Sequence, residues 1–118
     1  MIYVFHASEI LLKQLYAVEN ERELVTLVML NLANYQLAGR VKNDELDIAF
    51  AATGGPSTWL NTDNLSIDVT PEPERDSRFG DILVEVFSGY VNLSTPAGFI
   101  PLVDAVEQNG ELSRKQLN

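Results

Sequence analysis

A chain of 118 residues, 46% of them hydrophobic, has the usual size of one domain and is too apolar for disorder, so residues 1–118 are read as a single domain. It contains no cysteine, which excludes disulfides, thiolate metal sites and cysteine nucleophiles together. Its net charge of −9 works against nucleic acid and anionic lipid as direct partners.

Ile2 to Phe5 read as a short strand or the lead-in to a helix. Ser8 stands where an N-cap belongs, ahead of Ile10, Leu11, Leu12, Leu15, Tyr16 and Val18 at helical spacing. Asn20 and Glu23 have the N-cap and N3 spacing of a capping box. They introduce a second helix whose apolar residues run from Leu24 to Leu37 on more than one face, which predicts a sandwiched helix stopped by Gly39. No apolar run reaches the ~20 residues needed to span a bilayer. The first residues lack a basic n-region and a small-residue cleavage site, so no secretory signal is expected.

The pattern then shifts to period two. Leu46 to Ala52, Leu65 to Val69 and Ile82 to Phe87 are predicted as strands, with turns at Gly54-Gly55-Pro56 and at 61–64. Thr70 to Gly80 reads as a polar loop projecting from the sheet, because its two prolines cannot join a ladder. Gly89 predicts a bulge or bend. Pro101 fits N1 of a short helix carrying Leu102, Val103 and Val106, stopped by Gly110 and followed by a polar tail. The expected fold is α+β: N-terminal helices packed on a small, mainly antiparallel sheet, with a short C-terminal helix.

Groups able to do chemistry are few. His6 is the only histidine, and a triad built on it would use Ser57 or Ser88, neither of which lies in a G-x-S-x-G elbow. Asp44, Glu45 and Asp47, or Asp63 with Asp68, carry metal-binding oxygens but without EF-hand spacing. Gly54 to Ser57 is glycine-rich but lacks the lysine of a phosphate loop. No catalytic, cofactor or metal residue is therefore assigned, and no enzyme activity or cofactor is expected. Instead the charge is concentrated: ten acids and two bases between Asp44 and Glu85 give that stretch −8. Such a field speeds encounter with a basic partner. Trp59, Glu72, Glu74, Arg75, Asp76, Arg78 and Phe79 are the candidate interface residues, since interfaces enrich aromatics and arginine.

Between Asn64 and Gln108 the order reads as strand (LSIDV), polar loop (TPEPERDSRFG), long strand (DILVEVFSGYVNL), a turn with Pro-Ala-Gly, then a short helix (PLVDAVEQ). With a helix ahead of it, this order resembles tail-terminator-type subunits of bacteriophages. The resemblance implies a structural, cofactor-free homo-oligomer, found in the virion or in the cytoplasm of a bacterial host, with contacts through edge strands and the 70–80 loop. The acidic stretch supports an alternative, an inhibitor or immunity-type protein that neutralises a basic partner such as a nuclease.

Overall fold

The computed structural model describes residues 1–54, 67–68 and 75–116, with backbone alone at 67–68. Its centre is β1 (Ile2–Ala7), whose alternating side chains are almost all buried, so both faces of the strand are covered. β1 pairs antiparallel with β2 (Tyr35–Val41) on one side and β4 (Ile82–Glu85) on the other. With β3 (Ile67–Asp68), β5 (Val91–Thr95) and β6 (Gly98–Pro101), the described strands form one sheet in the order β3-β2-β1-β4-β5-β6. β7 (Ala105–Gln108) and β8 (Glu111–Arg114) form a separate hairpin. The fold is α+β, as the sequence predicts.

The two faces of the sheet differ. Phe5, Ala7, Tyr35, Ile82, Val84, Val91 and Leu93 belong to a large apolar cluster with Leu11, Leu12 and Leu15 of α1 (Glu9–Tyr16), Val28 and Met29 of α2 (Glu21–Leu30), and Ala105 and Leu112 of the hairpin. The other face carries Ile2, Val4, Val41 and Leu83, which pack with Ala49 of α3 (Leu46–Ala52). Both helix caps occur where expected: the Ser8 hydroxyl accepts from the Leu11 N–H, and Asn20 Oδ1 from that of Glu23.

Several expectations fail, each for a physical reason. The second helix stops at Leu30, where the Asn31 amide donates to the Leu27 carbonyl. One 3₁₀ turn (Leu32–Asn34) follows, and then β2 takes the ladder that β1 offers. Gly39 is therefore not a helix stop. The register changes from Phe5↔Leu37 to Val4↔Gly39, so β2 carries one extra residue there, and Val41 lands on the α3 face although Tyr35 and Leu37 lie on the other. Nor is α2 sandwiched; it lies at the surface, with Leu30 exposed.

Leu46 to Ala52 is a helix rather than a strand. Seven residues satisfy both periods: Leu46, Ala49 and Phe50 stand at i, i+3 and i+4 on one helical face, and three alanines favour helix. The C-terminal helix is absent. Pro101 ends β6, and the chain returns as the β7–β8 hairpin through Asn109 (φ 55°) and Gly110 (φ 79°). Asn-Gly is the favoured pair for a two-residue hairpin turn. The last strong strand ends at Glu85 and not Phe87, and of the bulge or bend expected at Gly89 (φ 81°) the chain makes the bend, in the β4–β5 turn.

Gly80 tests how the sheet meets α1. Its φ is +104°, and a Cβ there would stand 3.0 Å from Leu12 Cδ2 and 3.2 Å from Leu15 Cδ1. Gly89 has a similar φ but open space around it. Urea denaturation of Gly80→Ala is expected to show a loss of about 2–4 kcal/mol, with Gly89→Ala losing only about 1 kcal/mol.

Candidate functional site

Beyond Ala7 the β1–β4 ladder has run out, and side chains replace it. Asp81, immediately before β4, has no exposed surface. Its Oδ1 accepts from the Ala7 N–H at 2.9 Å and from Arg75 Nη2 at 2.7 Å. Its Oδ2 accepts from the Arg78 N–H and from Arg75 Nη1, both at 2.7 Å. Four donors fill the usual capacity of a carboxylate. Arg75 Nη2 also donates to the Ala7 carbonyl, so both backbone groups of that residue are satisfied by the ion pair. Burial opposes the Arg75 charge, but the bonds to Asp81 and the nearby Glu9 outweigh it and raise its pKa.

The turn between Arg75 and Asp81 is held from every side. The Tyr35 hydroxyl donates to the Gly80 carbonyl at 2.7 Å, and Gly80 N–H to that of Ser94. Burial, and then the Asp81 charge, push the Tyr35 pKa up, so the phenol keeps the proton it donates. The Ser94 N–H and hydroxyl both reach the Asp81 carbonyl. Glu9 lies 3.4 Å from Arg75 Nε and from Arg78 Nη1 at the rim.

Next to this ion pair is the nearest approach to a catalytic constellation. His6 Nε2 is 3.0 Å from Ser77 Oγ, and Asp81 Oδ2 lies 3.9 Å from the same nitrogen. The protons run the wrong way for a nucleophile. Ser77 donates to Thr53 Oγ1 at 2.7 Å, and Thr53 donates to the Ala49 carbonyl. With its single proton engaged there, Ser77 accepts from His6 Nε2 rather than donating to it. A triad also needs the carboxylate on the far ring nitrogen, whereas Asp81 stands beside the one that faces the serine. Burial brings the His6 pKa down to about 4, overriding the upward pull of Asp81, which the repulsion of Arg75 partly offsets. This neutral histidine joins β1 to α3 through two hydroxyls.

The predicted site residues scatter. Ser88 lies on the β4–β5 turn, with its hydroxyl on Glu85, while His6 is near the other end of the sheet. Ser77, the serine that does meet His6, has no sequence signal: it sits in a polar loop 71 residues away. Described residues 75–80 fold inward and do not project. Arg75 is engaged in the ion pair, and Asp76 supplies a carbonyl to its guanidinium. Arg78 is half-exposed, and Phe79 stacks on Phe50 with ring centroids 5.6 Å apart. Asp44, Glu45 and Asp47 are exposed, and no group of three or more potential metal ligands assembles among the described residues. Trp59, Glu72, Glu74, Ser57, Asp63 and the Asp68 side chain lie outside the described residues.

Two measurements probe the site. Asp81→Asn leaves Arg75 with only the exposed Glu9 as charged partner, and the expected loss by chemical denaturation is about 3–5 kcal/mol. His6 takes its proton near pH 6.5 when unfolded but only near pH 4 when folded. Its contribution is therefore complete above pH 6.5 and falls by about 3 kcal/mol as the pH drops to 4. His6→Gln, which keeps a donor toward Ser77, should flatten the stability profile across that window.

Compared with family models, curated proteins and solved structures, the chain finds no match in any of the three.

Proposed function

We propose that this chain acts by contact with other proteins, as a non-enzymatic subunit of a symmetric homo-oligomeric assembly. By the resemblance above, a bacteriophage tail or neck is the setting, in the virion or in the cytoplasm of the bacterial host. The supporting observation is the set of large apolar side chains left in solvent by a fold that already has a full core. Ile10, Leu30, Phe87, Tyr90 and Val103 are each at least 65% exposed, and Phe87 is fully so. Scattered single apolar residues are ordinary, but three of these stand at one end of the sheet. The polar groups best placed for chemistry are buried and engaged with one another. No described helix is long and apolar enough to cross a membrane.

The acidic-antagonist reading rests on the −8 between Asp44 and Glu85, and Asp44, Glu45 and Asp47 do face solvent at the start of α3. Asp81, Arg75 and Glu85 are less available to it. The first two are paired inside, and Glu85 accepts from Ser88.

Native mass spectrometry separates the two readings. An assembly subunit is expected at a defined multiple of 13.1 kDa. A chain that stays single, joining a basic protein one-to-one with an association rate that falls steeply with salt, supports the antagonist and defeats the assembly.

A further inference from the structure

We infer that the tip of the β4–β5 hairpin is where this chain meets a second copy of itself, patch against patch. The inference rests on the assembly reading and names its contact surface.

The first observation is charge. From Val86 to Val103 no residue is charged, in a chain where charged residues are 21% of the total. The run is bounded by Glu85 and Asp104. Two copies, each at −9, repel wherever their acids face one another. This stretch carries no charge of its own, and of the charges beside Phe87 the Met1 ammonium and Asp44 neutralise one another at 2.6 Å, which leaves Glu85. The Glu85 carboxylate accepts from the Ser88 hydroxyl at 3.0 Å, within its own turn.

The second observation is apolar area. Phe87 is 101% exposed, Val103 71% and Tyr90 65%, with Val86 half-exposed beside them. They are neighbours in the fold. Val86 to Ser88 form the turn, and Tyr90 returns to accept the Glu85 N–H. Leu102 donates to the Val91 carbonyl, which sets Val103 across from Tyr90. Together these four side chains expose about 500 Å² of mostly apolar surface, a size that marks interaction sites on monomers. Burying the patch on both copies removes about 1,000 Å², the lower bound for a specific pair. A two-fold contact requires a surface complementary to itself, which an uncharged aromatic patch satisfies.

The third observation concerns the mode of contact. The bond from Leu102 to Val91 fixes the alternation along β6, so the backbone of Pro101 faces the free side of the sheet. Proline has no N–H to offer an incoming strand. A strand added across this edge would lack that donor, which favours contact through side chains at the tip.

The test is sedimentation equilibrium of the full chain over a wide concentration range. Wild type should self-associate reversibly. Phe87→Asp should raise the dissociation constant roughly tenfold or more, and Gln14→Asp, on exposed α1 surface, should leave it unchanged. Phe87 is fully exposed, so its replacement does not disturb the fold. An oligomer that Phe87→Asp leaves intact overturns this placement while the assembly reading stands. A chain that remains single at every concentration overturns both.

Discussion

The Asp81 carboxylate, wholly inside the protein, receives four hydrogen bonds, two from Arg75 and one each from the Ala7 and Arg78 backbones. It does what a continued strand would have done. β1 is central and needs partners on both edges, yet β4 reaches only as far as Phe5↔Ile82. At Ala7 the ion pair supplies both the missing acceptor and the missing donor. Without it, backbone groups and a charge would be left buried and unsatisfied, which costs more than the pair returns as attraction. The pair thereby fixes where α1 starts, since Ser8 follows directly as its cap. It also fixes the turn that presents Gly80 to Leu12 and Leu15.

This constraint also limits what the polar groups are able to do. A carboxylate with four donors has no lone pair left for a substrate, and a neutral histidine whose Nε2 faces Ser77 is held as a strut between β1 and α3. The polar end of the α3 face is a structural joint. The β4–β5 hairpin tip, with Phe87 and Tyr90 exposed, lies toward the opposite end of the sheet from it.

Much of the fold was legible because its signals are local. Ser8 and Asn20 cap helices by bonds that reach only three residues along the chain. The alternation in Ile82 to Glu85 needs no more than a sheet with two covered faces. Asn109-Gly110 was equally local: its positive φ angles close a hairpin, and reading the glycine as a helix stop lost β7 and β8. Leu46 to Ala52 was ambiguous for a different reason. Seven residues are too few to separate a period of 2 from one of 3.6, and packing against Ile2, Val4 and Leu83 decides for the helix.

The sequence by itself determined the α+β class, the two helix caps, the strand that starts at Ile82, the absence of thiol chemistry and the excess of acid, because each depends on residue type or short-range spacing. Only the tertiary structure decided that Tyr35 to Val41 is a strand, since its ladder partner lies about 30 residues earlier in the chain. Only the tertiary structure turned Arg75 from a candidate surface contact into the buried partner of Asp81, and brought Ser77 to His6 across 71 residues. Contacts of that separation leave no periodicity to read; they exist once the sheet has formed and its unfilled edge at Ala7 has to be satisfied.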